Sequence, residues 1–190
     1  MSPRALVRLP LCPRALVRLA LCPLALGACA PAPAPGDSGE PGGVALLDPG
    51  ALAPVAAADD PLAAHRPADV DCPPAAWGAE GGGFEVQTGV CAYAAFDQPL
   101  PVALSRGDII EISVWHDTLD AAEPATGHVA LLLGDRVLWE QTVQIPAPSA
   151  ALDARLTLDA APAADARLGL HLHNHGYNSW RFVEVSVVSD

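Results

Sequence analysis

The sequence has no lysine, and basic residues of any kind become scarce after its first 28 positions. All ten basic residues are arginines, and four of them precede Cys29. The remaining chain holds six arginines against 22 acids, a formal charge of −16. Such a surface repels polyanions, which argues against nucleic acid as a partner and against anionic membrane surfaces.

The recognised signatures of catalysis are also missing. The sequence has no G-x-S-x-G elbow, no H-E-x-x-H pair, no glycine-rich phosphate loop and no D-x-D-x-D-G calcium loop. Acids are plentiful, but strand spacing alone does not bring two of them together as a general acid and base. We therefore expect a binding or surface-structural module rather than an enzyme.

Apolar runs are short, including the one at the N-terminus. A segment rich in arginine precedes an apolar stretch of about ten residues, Leu19 to Ala28, which suits a signal peptide and is too short to cross a bilayer. It ends in "LGAC", residues 26–29, which resembles the lipobox of bacterial lipoproteins. That resemblance implies that residues 1–28 are a signal peptide and that Cys29 carries lipid, such as palmitate.

Lipidation at Cys29 would anchor the protein to a membrane of the cell envelope. The residue after the cysteine is Ala30 and not an aspartate. By analogy with bacterial lipoproteins, this favours the outer membrane. The alternative is an ordinary secretory signal that is cleaved near Ala28 or Ala30.

Residues 29–68 have no aromatic side chain and are rich in alanine, proline and glycine. Such a segment buries too little apolar surface to offset the entropy of ordering it, so we expect a disordered tether. All nine aromatic residues lie between Trp77 and Phe182. The folded domain is therefore predicted to span residues 69–190. Its two cysteines, Cys72 and Cys91, are predicted to form a disulfide in an oxidising compartment.

The predicted domain alternates apolar and polar residues with a period of two. This pattern recurs about eight times, with turn signals at intervals near ten residues and a two-residue hairpin signal at Gly134-Asp135. It predicts an all-β fold, an antiparallel β-sandwich of the jelly-roll type. The long final strand carries an aromatic residue and ends the domain. In this order of strands the domain resembles jelly-roll carbohydrate-binding modules.

The stretch "HLHNHGYNSW", residues 171–180, is the richest in groups that bind ligands. His171 and His173 share one face of a strand, so a third ligand from a neighbouring strand, His128 or His116, would complete a site for zinc or copper. The alternative is that these histidines line a solvated strand face opposite the leucines.

A second set of side chains suits a sugar, because aromatic rings stack on it and amides bind its hydroxyl groups. Alternatively, Trp180 belongs to the core and "NHGYN" forms a turn. The leading prediction is thus a non-catalytic module for carbohydrate or an envelope glycan; a metal-binding protein or metal-dependent enzyme and a structural module are the alternatives. The members of the sugar set are Trp115, Asn174, Tyr177, Asn178 and Trp180.

Overall fold

The computed structural model describes residues 43–173 and 176–188. This part of the chain folds into eleven strands and two short 3₁₀ helices, Ala63–His65 and Pro74–Ala76. No helix within it has the length and apolar character to cross a membrane. The predicted signal peptide, Cys29 and Asn174 lie outside the described residues.

The strands form two antiparallel sheets. The six-stranded sheet has the order β3–β4–β11–β6–β9, with β1 paired to β11, and the five-stranded sheet has the order β2–β5–β10–β7–β8. The bounds are β1 (Val44–Ala45), β2 (Ala53–Pro54), β3 (Trp77–Glu80), β4 (Gly83–Gln87), β5 (Tyr93–Pro99), β6 (Ile109–His116), β7 (Ala125–Leu133), β8 (Arg136–Ile145), β9 (Ala150–Thr157), β10 (Arg167–His173) and β11 (Ser179–Val188).

Successive strands alternate between the two sheets from β4 to β7 and from β8 to β11. This connectivity, with every pairing antiparallel, is that of a jelly-roll-like sandwich. The predicted all-β fold is confirmed. The hairpin is confirmed as well, because Gly134 joins β7 to β8 with a φ of 60°, a conformation that glycine adopts readily.

The core lies between the sheets, where the alternating apolar residues of facing strands meet. Ile110, Ile112 and Val114 point inward from β6, and Leu168, Leu170 and Leu172 point inward from β10. Burying each such side chain stabilises the fold by about 1.5–3 kcal/mol. The outward positions of β10 are consequently occupied by Arg167, Gly169, His171 and His173.

The last strand departs from the expected alternation. The sequence places Val183, Val185 and Val187 on one face, yet Val183 is 43% exposed while Val185 is buried. A register shift between Phe182 and Glu184 in the pairing of β11 with β6 explains the difference. The bulge adds one residue, which reverses the direction of the side chains beyond it.

The folded unit begins before Asp69, where the predicted tether was expected to end. β1 pairs with β11 and β2 pairs with β5, and Leu46 and Leu52 are buried in the core. These two leucines bury enough apolar surface to hold the segment on the domain, although the average composition of residues 29–68 predicts a disordered tether. Residues 43–68 are therefore part of the domain.

The predicted disulfide between Cys72 and Cys91 is confirmed. It joins the segment that follows the first 3₁₀ helix to the residues just before β5. The cross-link thus holds the N-terminal part of the domain beside the five-stranded sheet.

Candidate metal centre

The outer face of the five-stranded sheet carries a group of histidines. In the register of β10, His173 lies opposite His128 of β7 on one side and Tyr93 of β5 on the other. His171 has an alanine on each side, Ala130 and Ala95. Because alanine side chains are short, they leave room around the His171 ring for a group that comes from outside the sheet.

That group is His65, which the segment after β2 brings onto this face. We call residues 55–66 the strap. It follows β2, and it ends just after the 3₁₀ helix Ala63–His65. The ring centroid of His65 lies 4.8 Å from that of His128 and 5.4 Å from that of His171. Three imidazoles from three separate parts of the chain therefore meet on one sheet face.

The three histidines are arranged so that each offers one ring nitrogen to a common point. One ligand nitrogen from each of His65, His128 and His171 lies within 4.8 Å of the other two. Nitrogens bound to one tetrahedral zinc ion are about 3.4 Å apart, given zinc–nitrogen bonds of about 2.1 Å. Small movements of the rings would therefore close the group around an ion, and His65 is the exposed member of the three.

His171 is buried with both ring nitrogens unsatisfied. The residue is 1% exposed, and neither nitrogen has a hydrogen-bond partner among the described residues. The same holds for Nδ1 of His128. Leaving a buried polar atom without a partner costs about 1–3 kcal/mol, so three such atoms side by side require an explanation. A metal ion bound by one ring nitrogen of His171 and by Nδ1 of His128 would account for two of them.

Glu140 of β8 fixes the second nitrogen of His128. Its Oε2 lies 3.0 Å from Nε2 of the imidazole. A carboxylate accepts hydrogen bonds, so Nε2 carries a proton, and in the neutral form of the ring Nδ1 keeps its lone pair. Carboxylates bonded in this way to the far nitrogen of a histidine are the usual outer partners of metal ligands in proteins.

The charge state of His171 also suits a metal ligand. Burial in the sheet, and after it the neighbouring His128, lower its pKa to about 3, whereas Asp60 opposes the shift. The imidazole is therefore neutral near pH 7. Only the neutral ring can donate a lone pair to a metal, so no proton has to be displaced there.

Asp60 holds the strap against the sheet. The Tyr93 hydroxyl donates to its Oδ2, the backbone N–H of Leu62 donates to its Oδ1 at 2.9 Å, and a guanidinium nitrogen of Arg66 lies 3.6 Å from Oδ2. Burial and the Asp60 carboxylate raise the pKa of Tyr93 above its ordinary value, so the phenol keeps its proton. Both oxygens of Asp60 are thus engaged in positioning the strap.

The structure assembles part of the predicted histidine set. His171 and His128 come together, and His173 lies beside them without joining the three whose ligand atoms converge. His116 belongs to the other sheet, where it packs on Trp180 with Nδ1 2.8 Å from the Asp117 carbonyl oxygen. The prediction of His116 as third ligand is therefore corrected, whereas His128, the other candidate, does lie beside His171. His65, and not His173, is the remaining histidine whose ring nitrogen converges with theirs.

Sequence reasoning missed His65 because the segment around it, "PLAAHRPAD", has the composition of a tether. No strand periodicity marks it. The one available signal is the pair His65-Arg66, which places a histidine and an arginine within a run of small residues.

Among its described residues, the predicted sugar-binding set has both exposed and buried members. Tyr177 is 66% exposed and Trp115 is 38% exposed, but Trp180 is fully buried, so its ring cannot stack on a sugar. The amide of Asn178 donates to the carbonyl of Thr118 at 2.6 Å. Binding of a glycan by the exposed members stays a prediction, from which Trp180 is removed.

No family model and no curated protein matches this chain. Similar solved structures include one described as "CBM4 structure and function", at 18% identity and a TM-score of 0.39, covering 58% of this chain and 74% of the other. The "xylan-binding module CBM15" matches at 11% identity and a TM-score of 0.46, covering 77% and 97%. A module named TmCBM61, in complex with β-1,4-galactotriose, matches at 10% identity and a TM-score of 0.34, covering 62% and 77%.

Proposed function

We propose that this protein is a non-catalytic β-sandwich binding module that holds one transition-metal ion with His65, His128 and His171. The observation that carries the proposal is the convergence of three imidazoles within 4.8 Å, one of them fully buried with both ring nitrogens unsatisfied. A solvated strand face, the alternative predicted for these histidines, would leave His171 in contact with water instead.

The donor set favours zinc or copper. Three neutral imidazoles suit borderline ions, whereas calcium and magnesium prefer oxygen ligands. Among divalent ions that nitrogen sites bind, copper(II) binds more tightly than zinc. We therefore expect the site to take both ions, with copper(II) the tighter.

Calorimetric titration of metal-free protein without an affinity tag, using Zn²⁺ and Cu²⁺, tests the proposal. We expect one ion per chain and binding tighter than micromolar. His65→Ala should weaken binding about 100-fold or more, since one of three ligands is lost. His65 is exposed on the strap, so this variant should fold normally.

His116→Asn serves as the matched control, because it removes a histidine from the other sheet and keeps a side chain that can bond to the Asp117 carbonyl. Its metal affinity should equal that of the unmodified protein. Binding no tighter than micromolar in the unmodified protein, or equal binding by His65→Ala, would overturn the proposal.

Glycan binding remains the other candidate, because Trp115 and Tyr177 are exposed. Titration of envelope glycans against the unmodified protein, Trp115→Ala and Tyr177→Ala tests it. Loss of a measured affinity in these variants would support it, and no binding would leave the metal ion as the only ligand proposed.

Attachment to the cell envelope through Cys29 is proposed from the "LGAC" pattern. Metabolic labelling with a fatty acid should mark the unmodified protein and not Cys29→Ser. Equal labelling of both would exclude this anchor.

A further inference from the structure

A groove of about 620 Å³ lies on the outer face of the five-stranded sheet and is lined by His171 of the proposed metal centre. Its lining includes small or apolar sheet residues, among them Ala95, Leu132 and Gly169. This size is within the range of protein sites for small molecules. The groove and the metal centre therefore share a side chain, and a molecule in one is adjacent to the other.

The groove is acidic. The strap contributes Asp59, the β7–β8 hairpin contributes Asp135, and the loop before β10 contributes Asp165. None of these three has an ion pair among the described residues.

Two arginines line the groove, but both are already engaged by carboxylates. Arg167 makes two hydrogen bonds to Asp97, at 2.7 and 2.9 Å, and Arg136 pairs with Asp159. Their positive charge is thus offset locally. The three carboxylates without ion pairs therefore make the electrostatic potential in the groove negative.

The proposed ion keeps a coordination position for a ligand from outside the protein. Three histidines converge, and zinc bound by three protein ligands usually takes water or another molecule as the fourth. Asp60 lies close enough to influence His171, but both of its oxygens are engaged with the strap and Tyr93. A donor atom in the groove is therefore the group that can complete the coordination.

We propose that the groove selects the fourth ligand of the metal ion, and that this ligand is a small molecule that joins a metal-binding donor group to a cationic tail. The inference rests on the proposed function. The ion itself is positive, so the selection acts on the part of the ligand that extends away from the ion toward Asp135 and Asp165. An anionic tail meets the same carboxylates and is rejected.

Three probes with the same donor separate charge selection from ordinary metal coordination. They are imidazole, which has no tail, 1-(3-aminopropyl)imidazole, whose tail is cationic, and 3-(imidazol-1-yl)propanoate, whose tail is anionic. Each is titrated into full-chain protein loaded with Co²⁺, whose visible absorption changes when the coordination changes. We expect the cationic probe to bind about tenfold more tightly than the anionic one at low salt, with imidazole between them.

The double variant Asp135→Asn/Asp165→Asn should bring the three affinities to within about twofold of one another. Its affinity for Co²⁺ should not change, because neither residue is a metal ligand. Asp153→Asn, an exposed change on the other sheet, is the matched control and should keep the order of affinities.

The outcomes separate the two proposals. Failure of Co²⁺ to bind would overturn both the metal centre and this inference. If Co²⁺ binds but the probes bind equally, or the anionic probe binds most tightly, the metal centre stands and the groove selection is wrong. A preference for the cationic probe that survives Asp135→Asn/Asp165→Asn would also overturn the assignment to this groove.

Discussion

Glu140 and His128 are joined across β8 and β7, with Oε2 of the carboxylate 3.0 Å from Nε2 of the imidazole. This contact leaves Nδ1 of His128 directed into a buried space shared with His171. The relationship defines which nitrogen of His128 can bind an ion.

Glu140→Gln should weaken metal binding about tenfold. The amide can still accept the hydrogen bond, but it has lost the charge that makes the imidazole a stronger donor. Calorimetric titration with Zn²⁺ measures the effect. Gln141→Ala, an exposed change at the next residue of β8, is the control and should bind as the unmodified protein does. Equal affinity for Glu140→Gln would show that this carboxylate does not support the site.

The stability of the metal-free protein should depend on the charge of His171. Its pKa is lowered to about 3 in the folded state, so between about pH 6.5 and pH 3 the unfolded chain binds the proton and the folded protein does not. Stability therefore falls as the pH decreases through this window, by up to about 1.4 kcal/mol per pH unit.

His171→Phe removes this titration and replaces the imidazole with another ring. Urea unfolding at pH 7, 5 and 4 should show a shallower loss of stability in the variant than in the unmodified protein. The carboxylates titrate alike in both proteins, so the difference between the curves isolates His171. Parallel curves would contradict a lowered pKa.

Tyr93→Phe should loosen the strap and weaken metal binding through His65. The change removes a donor from the buried Asp60 carboxylate, which should cost about 1–3 kcal/mol of stability. The free energy of unfolding and the Zn²⁺ affinity are measured together. Tyr177→Phe removes a hydroxyl from an exposed residue and should change neither quantity. Unchanged Zn²⁺ affinity in Tyr93→Phe would show that Asp60 does not position His65.

The disulfide should contribute to stability chiefly by restricting the unfolded chain. Its cysteines are 19 residues apart, and closing a loop of that length stabilises a fold by roughly 3 kcal/mol in the chain-entropy model. The double variant Cys72→Ser/Cys91→Ser should lose about that free energy of unfolding. A reducing agent should destabilise the unmodified protein and not the variant. A loss below about 1 kcal/mol would mean that the unfolded chain is already restricted there.

Local patterns account for most of the correct sequence predictions. Alternation in Leu168, Leu170 and Leu172 predicts a strand, because one face must be buried, and Gly134-Asp135 predicts the hairpin through its backbone conformation. The same reasoning failed at Val183, where a bulge changes the register without any mark in the composition. It also left the burial of Trp180 open, since that depends on the strands around it.

The sequence by itself determined the faces of β6 and β10, the cysteine pair and the fact that His171 and His173 point to one side of the sheet. The strand faces follow from the two-residue period of a strand, and the cysteine pair follows because the predicted domain contains two cysteines. Both arguments use features that can be read along the sequence. Tertiary structure alone decided that His65, and not His173 or His116, joins His128 and His171 in the cluster. His65 lies 63 residues before His128 and 106 before His171, and it reaches them because the strap packs on the outer face, where Asp60 bonds to Tyr93. No local pattern encodes a contact that depends on where a distant segment packs.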